Sequence, residues 1–139
     1  MRVLRKASMV IAIAATATMG FATQAQASTN SGWVYTSNSS GAAYFDADLN
    51  GYPGVEKVTV CDNTSNNRGV QVMLIGKSGD GSETSVVYQS DPSNDGHCTP
   101  LQGNWFLEET HVSVTVYEYW TANDGTYDYA NYGYGSGVA

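Results

Sequence analysis

The sequence predicts an all-β protein, a single antiparallel β-sandwich of about seven strands with one disulfide. Apolar and polar residues alternate with a period of two in several runs, which is typical of half-buried strands. Clusters of Gly, Asn, Asp and Ser separate these runs, and helical periodicity is almost absent. Many short strands with turns at this spacing favour a sandwich over a helical or mixed fold.

The first 27 residues are typical of a secretory signal peptide. A basic start (residues 1–6) precedes a short apolar run (residues 9–21) and an Ala-x-Ala ending at Ala27. Cleavage there would leave residues 28–139, a length that suits one domain. We therefore expect a secreted, extracellular protein and leave residues 1–27 out of the fold prediction.

Seven strands are predicted within residues 28–139. The clearest contains Val112, Val114 and Val116 on one face, with Tyr117 and Tyr119 continuing the opposite face. Residues 69–75 are apolar on both faces, which predicts a central strand that is covered on both sides. The remaining predicted strands are residues 33–36, 42–45, 55–62, 82–89 and 126–132.

The connections carry turn residues at the expected places. Gly79–Gly81 and Asn123–Gly125 are predicted hairpin tips, because Gly adopts positive φ at low cost. Residues 90–109 contain Pro92 and Pro100 and are predicted to form one long connection. The Tyr- and Gly-rich residues after Tyr127 predict a last edge strand that ends as a flexible tail.

Cys61 and Cys98 are predicted to form a disulfide, since an exported protein meets oxidising conditions. The bond would close a ring of about 38 residues and stabilise the fold by roughly 4 kcal/mol. Two free thiols remain an alternative. A metal pair is disfavoured because neither cysteine has a second ligand nearby at a usual spacing.

Residues 28–139 are strongly acidic. They hold three basic side chains against 13 acidic ones, a formal charge of −10 (3 − 13). Nucleic-acid binding needs clustered Lys and Arg, so we expect no nucleic-acid partner. Anionic membranes would repel the chain as well, and we expect no membrane partner.

The sequence offers little for catalysis. His97 and His111 are the two histidines, and no Gly-x-Ser-x-Gly motif is present. Glu108 and Glu109 are adjacent, so on an extended chain their side chains point to opposite sides and cannot act as a pair. We therefore expect a protein that is not an enzyme.

Calcium is the one cofactor that the sequence suggests. Asp46, Asp48 and Asn50, followed by Gly51, match the opening half of a calcium loop. The closing position, which should be a bidentate Glu, is Lys57, and Glu56 stands one residue early. The alternative is a polar turn, because Asp and Asn also bond their own backbone in turns.

Aromatic residues are concentrated in the last third of the chain, where they form a candidate binding surface. Exposed Tyr and Trp give a large contact area at low entropic cost, which suits protein interfaces, and their rings also stack on sugars. The alternative is a sheet face that a partner sheet covers. The candidate residues are Tyr117, Tyr119, Trp120, Tyr127, Tyr129, Tyr132 and Tyr134.

Several stretches resemble small secreted proteins of Streptomyces and other actinomycetes. In that group an FDAD stretch precedes a strand ending in Cys-Asp, a polar turn leads to Gly-Val, and a second cysteine lies ahead of a Val/Thr-rich strand. The matching residues are Asp46–Asp48, Cys61–Asp62, Gly69–Val70 and Cys98. One role known among such proteins, which the resemblance implies, is the adaptor subunit of umbrella toxin particles.

Three functional hypotheses follow. The first is a non-enzymatic module that binds another secreted protein, as an adaptor in an extracellular antibacterial toxin complex. The second is a carbohydrate-binding module, with calcium as an aid to glycan binding. The third is a protease inhibitor that presents the loop of residues 90–100 beside Cys98.

Overall fold

A computed structural model describes residues 27–139 of the chain. Residues 1–26 of the predicted signal peptide lie outside the described residues, so the leader stays a prediction. The described part contains eight strands and a single 3-10 turn at Leu49–Gly51. The strands are β1 (Trp33–Tyr35), β2 (Gly41–Asp46), β3 (Glu56–Asp62), β4 (Gly69–Lys77), β5 (Thr84–Asp91), β6 (Thr99–Gly103), β7 (His111–Thr121) and β8 (Tyr127–Val138).

The strands form two four-stranded antiparallel sheets, which confirms the predicted all-β class. The first sheet has the order β1-β2-β3-β6 and the second sheet has the order β5-β4-β7-β8. Strand β4 lies between β5 and β7, so the central position predicted for residues 69–75 is confirmed. No helix among residues 27–139 is long and apolar enough to cross a membrane.

The core lies between the two sheets and is built from the inward face of each strand. Alternation places one branched apolar side chain at every second residue, and these side chains are almost fully buried. Phe45 and Phe106 meet edge to face with centroids 6.0 Å apart and fill one end of the core. The other core residues include Val58, Val60, Val70, Val72, Leu74, Val112, Val114 and Val116.

Strand β6 was not predicted, because residues 90–109 were assigned to one long connection. Pro100 and Gly103 weaken the strand pattern in this stretch. Pro100 is tolerated because β6 is an edge strand that pairs with β3 alone, so the missing N–H can face away from the sheet. The connection before β6 is therefore only the short segment between Asp91 and Thr99.

The C-terminal segment differs from the predicted flexible tail. Strand β8 pairs with β7 as far as Val138, and both Val138 and Ala139 are buried. Gly133, Gly135 and Gly137 face inward at alternate positions, where β1 and the segment before it pack closely. A Cβ on Gly135 would lie 2.4 Å from a methyl group of Val34. The glycines that suggested flexibility allow this close packing instead.

The Cys61–Cys98 disulfide is present and confirms the prediction. It joins β3 to the residue just before β6, with the two Cα atoms 4.3 Å apart. The bond closes the loop that leads from the second sheet back to the first sheet. It therefore fixes the short edge strand β6 against β3.

Candidate functional site: an exposed tyrosine face

The outer face of the second sheet gathers tyrosines from three strands. In β7, Val112, Val114 and Val116 face the core, so Tyr117 and Tyr119 face outward. In β8, Tyr129 lies opposite Tyr119, and Tyr127 lies opposite Thr121.

A bulge in β8 keeps the later tyrosines on this outer side. The pairing shifts by one residue between Val116 and Glu118, and Asn131 takes a φ of 56° there. As a result Tyr132 and Tyr134 remain on the same face as Tyr129, although Tyr132 follows Tyr129 by three residues. We call the outward tyrosines of this sheet the tyrosine face: Tyr88, Tyr117, Tyr119, Tyr127, Tyr129, Tyr132 and Tyr134.

Tyr117 is the centre of the tyrosine face and is almost buried by its neighbours. Its ring centroid lies 5.5 Å from that of Tyr129 and 5.2 Å from that of Tyr132. Tyr132 stacks on Tyr134, with centroids 6.4 Å apart and ring planes 11° apart. The outer rings are open to solvent, and Tyr134 is 74% exposed. The cluster is thus ordered by ring contacts while leaving a large aromatic surface exposed.

Gln71 of β4 organises the polar groups at the base of this face. The Tyr117 hydroxyl donates to Oε1 of Gln71 over 2.6 Å, and Nε2 of Gln71 donates to Oγ of Ser90 over 2.7 Å. Two shallow grooves of about 490 and 280 Å³ lie on either side and share Gln71 and Tyr129. Burial, followed by the neighbouring tyrosines, raises the pKa of Tyr117 to about 12, so its hydroxyl stays a neutral donor.

Tyr88 and Gln71 belong to this site but were not predicted as site residues. Tyr88 lies on β5 opposite Met73, and Gln71 lies opposite Ser90 and Tyr117. The signal for them was present, since both stand at outward positions of alternating strands. Which strands become neighbours could not be read from that alternation.

The outer side of β4 is not covered by another layer, and that prediction was wrong. Met73 and Ile75 remain partly exposed, with the side chains of β5 and β7 beside them. Their apolar character does not reflect burial inside the fold. An apolar strip next to the tyrosines therefore lies open at the surface.

Trp120 was predicted with the tyrosines, but the structure separates it from them. Trp120 lies two residues after Glu118, whose side chain faces inward. Its own side chain therefore lies on the side of β7 opposite to Tyr117 and Tyr119. The guanidinium carbon of Arg68 lies 4.1 Å from the centroid of its ring, a cation–π contact. Trp120 thus belongs to the packing at the end of the sandwich.

Glu118 is the polar centre of that end and was missed at the sequence level. Its carboxylate, 1% exposed, accepts from Nη1 of Arg68 over 2.9 Å and from Nδ2 of Asn66 over 2.7 Å. Nδ2 groups of Asn38 and Asn131 also donate to it. Its position continues the inward series of Val112, Val114 and Val116, and a charged residue in such a series is the signal that could have revealed it.

The environment of Glu118 determines its protonation. Burial alone would raise its pKa, but hydrogen bonds from Ser40, Asn131, Asn66 and Arg68 together lower the pKa to about 2. Glu118 therefore carries its charge over the whole ordinary pH range. Because its donors come from two loops and from β8, it holds one end of the sandwich together.

The predicted calcium residues lie in a turn between β2 and β3. Asp46 ends β2 opposite Lys57, and Asn50 takes a φ of 58° in the 3-10 turn. Glu56 is turned into the core, where its oxygens accept the N–H groups of Trp105 and Phe106 over 2.7 and 3.1 Å. Burial raises the pKa of Glu56 despite these bonds. Glu56 is therefore committed to the fold and does not serve the loop.

Oδ1 of Asp48 is buried without a hydrogen-bond partner. Within the described range, residues 27–139, no group of three or more His, Cys, Asp or Glu side chains is arranged to hold a metal ion. Calcium binding through Asp46, Asp48 and Asn50 remains a prediction.

The loop considered for protease inhibition is shorter than predicted. Strand β5 continues to Asp91 and β6 begins at Thr99, so residues 92–98 form the exposed connection. A backbone bond joins Asp95 to Ser93, and Oδ1 of Asp95 accepts from the His97 N–H over 2.9 Å. The loop ends at the disulfide, as the inhibitor hypothesis requires, and that hypothesis also remains a prediction.

Comparisons with protein-family models, with curated proteins and with solved structures found no match. The chemistry of the surface itself is therefore the basis for a functional proposal.

Proposed function

We propose that this protein is a secreted, non-enzymatic binding module that engages another secreted protein through the tyrosine face. One observation carries the proposal: tyrosines from three strands of the second sheet share a sheet face that nothing in residues 27–139 covers. Tyr side chains on rigid strands bury a large area on binding and lose little conformational freedom. The surrounding residues, among them Gln71, Met73 and Ser90, add hydrogen bonding and apolar contact without charge.

An antibacterial toxin complex is the setting we propose, with the chain as an adaptor between larger subunits. The disulfide fits an extracellular location, because such bonds persist under oxidising conditions. The resemblance to small secreted actinomycete proteins motivates the adaptor role. The tyrosine face would supply one of the two contacts that an adaptor requires.

A quantitative pull-down tests this function. The tagged mature protein is incubated with native culture supernatant beside a Tyr129→Ser/Tyr132→Ser/Tyr134→Ser variant. We expect the variant to lose affinity for the captured protein by about 30-fold or more, the effect of removing a central aromatic contact. Quantitative mass spectrometry identifies the captured protein, and surface plasmon resonance then measures its affinity.

The first sheet provides a matched control variant. Trp33 and Tyr35 are 48% and 53% exposed, close to Tyr129 and Tyr132 at 48% and 41%, but they lie on the opposite side of the sandwich. Trp33→Ser/Tyr35→Ser should therefore retain full binding. Equal capture by the triple tyrosine variant and the wild type would contradict the proposal.

Glycan binding is a second candidate because of one pair of rings. Tyr132 and Tyr134 stand nearly parallel at the surface, so that the face of a sugar could stack on the exposed ring of Tyr134. A glycan array separates this candidate from the first. A reproducible glycan signal that Tyr134→Ser abolishes, together with no captured protein, would replace protein binding with carbohydrate binding.

A further inference from the structure

Strand β5 forms an open edge of the second sheet. It pairs with β4 along its whole length, from Thr84 opposite Lys77 to Asp91 opposite Val70, without an irregularity. Its other side is the border of the sheet. Alternate residues of β5 therefore direct their backbone N–H and C=O groups away from the protein, where another strand could pair with them.

The other sheet borders are shorter or already occupied. At β8, the N–H of Ser37 donates to the Asn131 carbonyl over 3.1 Å, and Thr29 exchanges two hydrogen bonds with Val138. Strand β1 has three residues, and β6 has five, including Pro100. Among the described strands, β5 is the one that offers a long and regular border.

The sequence of β5 carries few of the features that protect an edge strand. Natural edges are commonly interrupted by Lys, Pro, a bulge or an inward-pointing charge. Residues 84–90 read TSVVYQS and contain no charged residue and no proline. The one inward-pointing charge of β5 is Asp91, its last residue. Val86 and Tyr88 on their outward face are 46% and 52% exposed. An unprotected edge of this kind indicates a strand that pairs with another chain.

We propose that the occupant of this edge is a second copy of the chain, paired antiparallel through β5 with Tyr88 opposite its counterpart. In this register Val86 faces Ser90 of the second copy, and no two like charges are opposed. The neighbouring symmetric register, centred on Val87, would place Glu83 opposite Asp91, which like-charge repulsion disfavours. Because residues 84–90 carry no charge, two identical β5 strands can pair without like-charge repulsion.

This pairing joins two sandwiches about a two-fold axis into one eight-stranded sheet. The two tyrosine faces then lie on the same side of that sheet and form one continuous surface. The formal charge of each mature chain, −10 (3 − 13), opposes association at long range. Added salt screens this repulsion, so the dimer should become tighter as ionic strength rises.

Charge substitution on the exposed edge tests the register. Val86→Lys/Ser90→Lys places two pairs of like charges across the interface and should weaken the dimer about tenfold. Val86→Lys/Ser90→Glu places opposite charges at the same positions and should restore it. Light scattering after size-exclusion chromatography, over a range of protein and salt concentrations, measures the dissociation constant. Circular dichroism melting identifies any variant that has not folded.

Cysteine crosslinking tests the pairing without relying on affinity. Tyr88→Cys should give a covalent dimer under mild oxidation, because the two side chains are neighbours across the axis. Ser136→Cys, on the outer face of β8, is the matched control and should stay monomeric. A wild type that remains a monomer at high protein concentration would overturn the proposal, even if its β5 edge captured a different protein. Equal crosslinking of both cysteine variants would overturn it as well.

Discussion

The outer faces of the two sheets both carry exposed aromatic residues, but they are built differently. On the first sheet, Trp33 contacts Tyr44 with centroids 5.4 Å apart, and Tyr35 lies beside the disulfide. These rings come from a three-residue edge strand and its neighbour. On the second sheet, the tyrosines come from long strands and meet around Tyr117.

The difference shows what is needed for exposed aromatic residues to form one continuous surface. Strand β7 is paired along both sides, so its outward residues have fixed neighbours from β4 and β8. On the outer face of the first sheet, the Cys61–Cys98 disulfide and the edge strand β1 lie where the second sheet has its tyrosines. We therefore assign stability chiefly to the first outer face, and binding is the function that we propose for the second.

The disulfide gives the largest expected effect and tests the stabilising role of the first face. Cys61→Ser/Cys98→Ser should lower the free energy of unfolding by roughly 4 kcal/mol, because the unfolded chain loses a crosslink over about 38 residues. Urea denaturation measures the loss, and reduction of the wild type serves as an independent control. A change below about 1 kcal/mol would contradict the assignment of stability to this bond.

Glu118 gives the next largest effect, at the end where both sheets meet. Its pKa of about 2 lies below the ordinary value of 4.5, so its contribution is complete above pH 4.5 and is lost as pH falls through 2. The difference corresponds to about 3 kcal/mol. Glu118→Gln should remove this dependence, so that the wild type loses more stability than the variant between pH 4.5 and 2.

Glu56 and Asp62 change stability with pH in the direction opposite to Glu118, so their effect must be separated from that of Glu118. Burial raises the pKa of Glu56 and of Asp62, so each disfavours the fold at neutral pH and favours it as pH falls through its raised pKa. Both groups are unchanged in Glu118→Gln. Parallel acid profiles for the wild type and the variant would show that Glu118 does not hold the sandwich end.

The Tyr117 hydroxyl provides an alkaline test of the tyrosine face. Because its pKa is raised to about 12, its contribution to stability is present below pH 10 and is lost as pH rises through 12. Spectrophotometric titration should show a tyrosine ionisation step near pH 12. Tyr117→Phe should remove that late step.

Calcium gives the smallest expected effect and concerns a turn that belongs to the first sheet. Since Glu56 is committed to Trp105 and Phe106, we expect melting curves in millimolar calcium and in chelator to superimpose. A higher melting temperature in calcium that Asp48→Asn abolishes would instead establish a metal site at Asp46, Asp48 and Asn50. Asp124→Asn, in the hairpin tip between β7 and β8, is the control substitution.

Local patterns were enough to predict most individual strands and the outward side of β7. The alternation around Val112–Val116 indicated which residues of β7 face the core, and it placed Tyr117 and Tyr119 outside. The same alternation, read further, would have separated Trp120 from the tyrosines and marked Glu118 as an inward charge. It could not reveal β6, whose Pro100 is acceptable only at a sheet border.

By itself, the sequence determined the all-β class, the disulfide and the facing of β7 as far as Tyr119, because these depend on neighbours along the chain and on a pair of cysteines. Only the tertiary structure decided that Tyr88 and Gln71 join the C-terminal tyrosines, that the outer side of β4 stays open and that the Gly-rich end closes the sandwich. Strand order determines these features, and the pairing of distant strands depends on long-range packing that no local period encodes.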